Sequence, residues 1–437
     1  MTIALYGVGF VGRDVAELVV ERGRSLICVD IDHEVVDRIN ARSYLSVDDW
    51  HRVSATTDGT AAASRVSTCL VTVPTPLDSA NTVDLSALRS AAETIASGLQ
   101  KATSGEPTLV VIESTVPPGT VREAIAAIFE RHGLERGTDF FLAAVPERVD
   151  PGTDEWPLEA IPRVAGALTS EGLTSAVELY DWLLDAHVHP VDTVEIAEAS
   201  KVIENAFRDI NIAFANEVAL SLDSLGVDAQ STIDAAATKP FGFMAFEPGA
   251  GVGGHCIPID PYFLINEAED AGFRHELLTV ARRINDRMPR YVADLTVRAL
   301  TRAEMLPQDA TALLLGRSFK PDLADDRNSP YFSIRDRLRE YGVSTETYDP
   351  MLSDASSVDS PYQSVDAVVS VTDHSEFAEL DPHRFANLGV ATIVDGRNVF
   401  DPETVESVGL CYEGVGRDRH AADDAREARP TDRGISQ

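Results

Sequence analysis

Lysine and positive charge are scarce in this sequence. Its 437 residues include only four lysines, and 71 acidic side chains outnumber 37 basic ones, for a formal charge of −34. Nucleic acids and anionic lipids are bound through basic patches, so we expect neither nucleic acid nor a membrane surface as a partner. Acid-rich, lysine-poor surfaces suit high salt, where screening weakens self-repulsion. The composition predicts a cytoplasmic protein of a salt-accumulating organism, or else simply an acidic protein.

Cysteine and long apolar runs are also scarce. The four cysteines, Cys28, Cys69, Cys256 and Cys411, form no C-x-x-C pair, so we expect a reducing compartment, no disulfide framework and no metal site. Cys28 and Cys69 stand in the apolar runs "LICVD" and "TCLVTVP", which predicts core positions for both. No apolar run approaches the length of about 18 residues that a membrane span needs, and the N-terminal stretch lacks the basic region of a signal peptide.

Strand and helix patterns alternate in the first third of the chain and again after Leu306. The early apolar runs are "TIALY", "SLICVD", "TCLVTVP", "TLVVIE" and "FFLAAV", with helical patterns between some of them. This alternation is typical of a parallel sheet covered by helices. Residues 194–226 form one long helical pattern that ends at a glycine. The later alternation has "GRSFK" where a glycine-rich turn would stand, which predicts a second nucleotide-binding-like domain for a different ligand.

The first glycine-rich turn has the spacing of a dinucleotide-binding loop. "GVGFVG" sets Gly7, Gly9 and Gly12 between a strand and a helix, and the next strand ends at Asp30, 18 positions after Gly12. This arrangement brings a pyrophosphate to a helix N-terminus and a carboxylate to the adenosine ribose. An acid at that position repels a 2′-phosphate, so we predict NAD rather than NADP, with Asp32 a weaker candidate for the ribose contact. A glycine-rich turn without a ligand is the alternative.

The sequence therefore predicts an α/β protein with two Rossmann-like doubly wound domains, joined by a long central helix and a small helical domain. The predicted ranges are 1–193 for an N-terminal NAD-binding domain, 194–303 for a central helical domain, 304–415 for a C-terminal Rossmann-like domain and 416–437 for a disordered, charged tail. Apolar residues recur around most of the long helix. We therefore expect the helix to be buried on several sides and to pair with a copy of itself in a homodimer.

Two polar residues of the long helix are candidates for chemistry. Lys201 and Asn205 are four residues apart and therefore share one helix face. A buried lysine can exchange protons, or it can remain a cation beside a developing oxyanion. The alternative from spacing alone is a salt bridge from Lys201 to Glu198 or Glu204.

The stretch "GAGVGGHCIPID" surrounds Cys256 with glycines and reaches Asp260 four residues later. Glycines allow close approach, and a thiolate attacks aldehyde and acyl carbons, so Cys256 is a candidate nucleophile. A structural cysteine remains the alternative. Adjacent side chains in an extended loop point apart, so we expect no metal on His255 and Cys256.

Taken in order, these motifs resemble the UDP-glucose/GDP-mannose dehydrogenase superfamily over residues 1–412. The motifs that carry the resemblance are "GVGFVG", "VPTPLD", "ESTVPPGT", "VPERVDPG", "SKVIENAFRDINIAFANE", "GAGVGGHCIPIDPYF", "GRSFKPDLADDRNSP" and "DGRNVF". The run "TKPFGFMAFEPGAGVGGHCIPIDPYFL" is most similar to the branch that oxidises UDP-N-acetylglucosamine or UDP-N-acetylmannosamine. The resemblance implies an NAD-dependent enzyme that oxidises a sugar C6 alcohol twice, to the uronic acid.

The resemblance also implies roles for individual residues. Cys256 would trap the aldehyde as a thiohemiacetal, from which a thioester forms. Lys201 and Asn205 would stabilise oxyanions at C6, and Asp260 would work with the lysine on water and protons. Glu147 and Thr115 would aid acid–base steps and thioester hydrolysis.

The remaining implied contacts lie on the cofactor and substrate sides. The cofactor side comprises Gly7, Val8, Gly9, Phe10, Val11, Gly12, Asp30, Pro74, Thr75 and Thr115. The substrate side comprises Arg148, Lys201, Asn205, Lys239, Gly253, Lys320, Arg327 and Arg397, the last three from a UDP-sugar-binding C-terminal domain. For Arg327 and Arg397, structural ion pairs to acids such as Asp325 and Asp395 are the alternative.

The sequence departs from the family pattern at two places. The segment after Trp50 is short, so we expect the adenosine-side loop to differ from that of the family. The run "TKPFGFM" lacks the arginine of UDP-glucose enzymes, for which Lys239 is the candidate substitute. The missing arginine favours an N-acetylhexosamine over glucose, with UDP-glucose as the alternative. A single-step hydroxyacid dehydrogenase and a non-catalytic nucleotide-sugar-binding protein are more distant alternatives.

Overall fold

The computed structural model describes residues 2–102, 105–149, 152 and 156–417. Its contacts divide the chain into two compact units. The first unit contains the chain up to Asn205 together with Ile259–His275, and the second contains Ala206–Pro258 and the chain from Glu276 onward. Residues 418–437, most of the tail that we predict to be disordered, lie outside the described residues. The three-domain division stays a prediction.

The first unit is built on an eight-stranded sheet in the order β3-β2-β1-β4-β5-β6-β7-β8, parallel except where β6 meets β7. Its elements up to residue 190 are β1 (Thr2–Tyr6), α1 (Phe10–Glu21), β2 (Ser25–Val29), α2 (His33–Asn40), β3 (Val53–Thr56), α3 (Gly59–Ala63), β4 (Thr68–Val71), α4 (Ser86–Leu99), β5 (Thr108–Ile112), α5 (Ala126–Arg131), β6 (Phe140–Ala144), β7 (Arg163–Ala167), α6 (Ser170–Leu183) and β8 (Val188–Pro190). The chain order reverses between β1 and β4, which is where doubly wound sheets bind ligands.

The core of the first unit lies on both faces of this sheet. Side chains alternate along β1, so that Ile3 and Leu5 pack into one apolar cluster while Ala4 and Tyr6 pack into the other. Helices cover both faces, and this explains why the strands are continuous apolar runs. Cys28 and Cys69 are 1% and 0% exposed, which confirms their predicted core positions.

Four helices follow β8, and the first of them contains the boundary between the units. They are α7 (Val194–Asp223), α8 (Ala229–Ala237), α9 (Asp260–Asp270) and α10 (Glu276–Arg302). The boundary falls within α7 after Asn205, and α9 belongs to the first unit. Among the described residues, no helix is long and apolar enough to cross a membrane.

The second unit contains a five-stranded, fully parallel sheet in the order β10-β9-β11-β12-β13. Its elements are β9 (Thr311–Leu315), α11 (Pro330–Glu340), β10 (Ser344–Tyr348), β11 (Ala367–Ser370), α12 (Pro382–Asn387), β12 (Thr392–Asp395), α13 (Pro402–Ser407) and β13 (Cys411–Gly414). Two sheets, the first mainly and the second fully parallel, together with the long helix α7, confirm the predicted α/β fold class.

Candidate active site

The glycine loop after β1 has room for a phosphate at the N-terminus of α1. A Cβ at Gly12 would meet the carbonyl oxygen of Gly7 at 2.1 Å, and Gly7 itself has a φ of 88°. These two glycines are therefore required by close backbone packing and by an unusual backbone conformation. Gly9 precedes the first residue of α1, and a Cβ added there would have no other atom within 4 Å. The loop thus fits the pyrophosphate of a dinucleotide, with exposed backbone at the positive end of a helix.

Asp30 supports this loop from the end of β2. Its Oδ2 accepts a hydrogen bond from the backbone N–H of Val8 at 2.8 Å, and its Oδ1 accepts one from the N–H of Asp32 at 3.0 Å. Asp32 in turn caps α2 by accepting from the N–H of Glu34. The half-buried Asp30 carboxylate is therefore fixed beside the glycine loop, where it suits a ribose diol and opposes a 2′-phosphate.

The other predicted cofactor residues lie on loops at the carboxyl ends of neighbouring strands. Thr75, which follows β4, donates its hydroxyl hydrogen to the carbonyl oxygen of Thr115, which follows β5, at 2.7 Å. Pro74 and Phe10 are exposed, whereas Val8 is buried and Val11 is half-buried. The two predicted loops are thus joined by a hydrogen bond in the first unit.

Four of the predicted catalytic residues form a cluster in the first unit, in which Asn205 is half-buried and the other three are buried. Lys201 and Asn205 come from α7, Asp260 is the first residue of α9, and Glu147 follows β6. The Asn205 amide donates to Oδ2 of Asp260 at 2.5 Å. Burial raises the pKa of Asp260 to about 7, although the Lys201 ammonium and the Asn205 hydrogen bond lower it, and the charge of Glu147 raises it further. A carboxyl group with this pKa can both accept and release a proton near neutral pH.

The two acids that could have paired with Lys201 are engaged elsewhere. Glu198 accepts backbone hydrogen bonds from Gly119 at 2.7 Å and Val121 at 2.8 Å. Glu204 accepts two hydrogen bonds from the Arg148 guanidinium, at 2.7 and 3.0 Å. Lys201 is 6% exposed, and its positive charge acts on Asp260 within the cluster.

The pairing with Glu204 also bears on Arg148, a predicted substrate residue. Its Nη1 donates to the carbonyl oxygen of Pro162 at 2.8 Å, while Nε and Nη2 face Glu204. The Arg148 guanidinium thus links the segment after β6 to α7 through a bidentate ion pair. A direct role of Arg148 in binding substrate stays a prediction.

Sequence reasoning missed two buried supports of this cluster. Glu198 holds the turn that follows Thr115, and burial raises the pKa of Glu198 to about 7. Arg163, 1% exposed, donates to the carbonyl oxygen of Pro146 and lies 3.9 Å from a carboxylate oxygen of Glu147. In the sequence, Glu198 and Arg163 are marked only as charged residues within apolar patterns.

The start of the cysteine loop is held by a buried polar network in the second unit. The N–H of Gly249 donates to Oδ1 of Asn216 on α7 at 2.8 Å, and the Asn216 amide donates to Asn285 on α10 at 2.9 Å. Asn285 then donates to the carboxylate of Asp209, which also pairs with Arg282. Because each of these groups is buried, the network fixes where the loop begins.

The later glycines of the loop are required by close packing against Phe319. A Cβ at Gly253 would meet the Phe319 Cβ at 2.6 Å, and one at Gly254 would meet the Phe319 ring at 2.8 Å. Gly254 has a φ of 84°, donates to the carbonyl oxygen of Arg327 at 2.9 Å and accepts from the amide of Asn328 at 2.9 Å. Gly253, which we predict to contact substrate, is thus a position where the loop packs closely against Phe319.

The expectation that the His255 and Cys256 side chains point apart is wrong. The Sγ of Cys256 lies 3.0 Å from Nδ1 of His255, and both residues are half-buried. The chain bends and turns from Gly254 onward instead of extending, so neighbouring side chains converge. Within the described part of the chain, no cluster of three or more His, Cys, Asp or Glu side chains is arranged to hold a metal.

The predicted cations of the second unit have different surroundings. Arg327 forms an ion pair with Asp325, with its Nε 2.9 Å from both carboxylate oxygens. Arg397 donates to the carbonyl oxygens of Val371 and Gly251 at 3.0 and 3.1 Å, and burial lowers the pKa of its guanidinium.

The two remaining lysines on the predicted substrate side lie in separate segments of the second unit. Lys239 is exposed, with Nζ 5.0 Å from the centre of the Phe241 ring. Lys320 is half-buried next to Phe319. For these lysines, as for Arg327 and Arg397, a role in binding substrate stays a prediction.

Family comparisons match most of the chain. Three domains of the UDP-glucose/GDP-mannose dehydrogenase family match in order: the NAD binding domain at 1–184, the central domain at 195–287 and the UDP binding domain at 313–402. The chain is 34% identical to a UDP-N-acetyl-D-mannosamine dehydrogenase of Pyrococcus horikoshii, over 95% of this chain and 99% of the relative.

Two further comparisons agree with this match. A UDP-N-acetyl-D-glucosamine 6-dehydrogenase of Pseudomonas aeruginosa is also 34% identical, over 90% of this chain and 94% of the relative. The solved structure of a UDP-D-ManNAc dehydrogenase from P. horikoshii superposes with a TM-score of 0.87 and 32% identity, covering 96% of this chain and all of that one. The glycine loop, Asp30 and these domain matches lead to one conclusion: the chain belongs to the UDP-glucose/GDP-mannose dehydrogenase family and is an NAD-dependent oxidoreductase.

Proposed function

We propose that this protein oxidises the C6 alcohol of a UDP-N-acetylhexosamine to the uronic acid in two steps, through a covalent intermediate on Cys256. The observation that carries the proposal is the largely buried cluster of Lys201, Asn205, Asp260 and Glu147. Only three residues separate Asp260 from Cys256 along the chain. A cation, an amide, two carboxyl groups and a thiol are the set that two oxidations and one hydrolysis require.

The cluster supplies proton transfer and charge stabilisation for this reaction. Bound NAD provides a hydride acceptor. Asp260, with a pKa of about 7, accepts the proton of the C6 alcohol, directly or through water. The Lys201 ammonium and the Asn205 amide donate to the C6 oxygen as negative charge develops on it.

Cys256 and Glu147 act after the first oxidation. The Cys256 sulfur adds to the aldehyde, so the reactive intermediate stays bound, and loss of a second hydride from the adduct gives a thioester. Glu147 then holds the water that hydrolyses the thioester and takes its proton. Release of the acid restores the thiol.

The substrate assignment rests on the similarity to enzymes named for UDP-N-acetyl-D-mannosamine and UDP-N-acetyl-D-glucosamine. These sugars differ at one stereocentre, which pocket shape discriminates. UDP-glucose is the second candidate for the same chemistry.

The stoichiometry of NADH formation tests the proposed function. With UDP-N-acetylmannosamine or UDP-N-acetylglucosamine in high salt, we expect two NADH per sugar and a uronic acid product. The measurement is NADH absorbance at substrate exhaustion, with UDP-glucose and GDP-mannose as comparison substrates. A constant yield of one NADH, with the aldehyde released, would contradict the proposal.

We also propose a homodimer that forms along α7. Ile196, Ile203, Phe207 and Phe214 are 45–58% exposed and recur at intervals of seven, four and seven residues, so they form one apolar stripe on the helix. Burying large apolar side chains favours association, and a second copy presents the same stripe.

Acidic substitution of this stripe should weaken the dimer. We expect the double variant Phe207→Asp, Phe214→Asp to sediment as a monomer, because two buried charges would oppose association. Sedimentation velocity measures the change, with Leu306→Asp as the control because Leu306 is also 58% exposed and lies outside α7. An unchanged sedimentation coefficient of the double variant would rule out this surface.

A further inference from the structure

The imidazole of His255 contacts the thiol of the neighbouring Cys256. Nδ1 lies 3.0 Å from Sγ, which is within hydrogen-bonding reach for sulfur. Nδ1 can accept the thiol proton only in the tautomer that carries its hydrogen on Nε2. The geometry is therefore that of a nucleophile and a base in direct contact.

The backbone that leads into this pair is rigidly held. At Gly254 the N–H and the carbonyl oxygen are both hydrogen-bonded, to Arg327 and to Asn328, and the Phe319 ring fills the space beside the turn. The positive φ of Gly254 redirects the chain immediately before His255. The contact between the two side chains thus rests on an anchored turn rather than on a freely rotating loop.

The loop 319–328 contacts this turn through Phe319, Arg327 and Asn328, and its acidic side chains are hydrogen-bonded to other groups. The segment 319–328 carries three acids, and each accepts a hydrogen bond from another side chain: Asp322 from Ser375, Asp325 from Arg327 and Asp326 from Arg317. The same segment carries the cation Lys320. Each of these acids thus has a donor other than the imidazole.

We propose that His255 is a further catalytic residue, the base that takes the proton of Cys256 as the sulfur attacks the aldehyde. This inference rests on the proposed function, in which Cys256 is the nucleophile. An isolated thiol is mostly protonated at neutral pH and reacts poorly in that form. A base in contact with the sulfur removes this obstacle.

Addition of the Cys256 thiol to the aldehyde requires no oxidant. The Sγ–H bond breaks and its proton passes to Nδ1, while the sulfur electron pair forms a bond to the aldehyde carbon. The carbonyl electron pair moves onto oxygen, which gains one proton as the imidazolium gives up the one it took. Thiol and aldehyde thus yield a thiohemiacetal, and His255 returns to its neutral form.

Alkylation of Cys256 by iodoacetamide tests the proposal without sugar or cofactor. His255→Asn keeps a hydrogen-bonding atom near the position of Nδ1 but cannot take a proton. At pH 6.5 we expect Cys256 of this variant to be labelled about tenfold more slowly than in the wild type. The labelling rate of the variant should increase with pH and reach half its maximum at about pH 8.5, as for an isolated thiol. Peptide mass spectrometry measures the rate at each cysteine.

Other cysteines provide internal controls. Cys411 should be labelled equally in both proteins, and labelling of the buried Cys28 or Cys69 would reveal unfolding. If His255→Asn unfolds, His255→Gln gives the same comparison. Equal labelling of Cys256 in wild type and folded variant would overturn the role of His255 and leave the proposed function intact. Failure of the proposed function is seen separately, as acid formation that persists without Cys256.

Discussion

Replacing Cys256 with alanine should abolish formation of the uronic acid. We expect the rate of acid production to fall about a thousandfold or more, because no thioester can form without the sulfur. The lysine, amide and carboxyl groups of the cluster remain in this variant, so at most one NADH per sugar should form. Product analysis by mass spectrometry, together with NADH absorbance, measures both quantities.

Cys411→Ala is the matched control for this variant. Cys411 is half-buried like Cys256 but lies on β13, and the substitution removes the same atoms. Acid formation should be unchanged in the control. If Cys256→Ala still produced acid at the wild-type rate, the reaction would be a different one, with the thiol serving only the structure.

Replacing Lys201 with methionine should reduce the rate of both oxidations about 100- to 1,000-fold, because the cation that stabilises the C6 oxyanion is lost. Methionine keeps much of the length and apolar character of the buried chain. The measurement is the rate of NADH formation at saturating sugar, with Lys101→Met as the control because Lys101 is exposed.

The same variant should change the pH dependence of the residual activity. Lys201 lowers the pKa of Asp260, which burial raises to about 7. Removing the cation therefore raises that pKa further. Since Asp260 must be ionised to accept a proton, the activity of the variant should reach half its maximum at a higher pH than in the wild type. A rate loss with no shift, or a shift to lower pH, would mean that Lys201 does not act on Asp260.

The parts of the site that depend on local spacing could be predicted from the sequence. Gly7, Gly9 and Gly12 act within one turn, and Asp30 ends the next strand. Lys201 and Asn205 share a face through helical periodicity alone. Asp260 joins them only because α9 packs in the first unit, and no periodic pattern connects residues 201 and 260. That contact was expected from the family resemblance and not from spacing.

The features that could not be predicted from the sequence are short strands and contacts between residues that no local pattern connects. The strands β3, β7 and β8 have three to five residues each and mix polar, charged or small residues with valines, so they lack the apolar runs that mark the other strands of the first sheet. Glu198 acts on backbone groups 77 and 79 residues away. The His255–Cys256 contact depends on the positive φ at Gly254, which composition alone does not fix.

Trapping a bond between a sugar carbon and Cys256 is the sharpest test of the proposed mechanism. Glu147→Gln, incubated with NAD and UDP-N-acetylmannosamine or UDP-N-acetylglucosamine, should hydrolyse the thioester slowly and accumulate it. We expect mass spectrometry of the digested protein to find the acylated sugar on the peptide that contains Cys256. If the wild type produced acid while the Cys256 peptide of the variant stayed unmodified at every time point, the reaction would not pass through a covalent intermediate on Cys256.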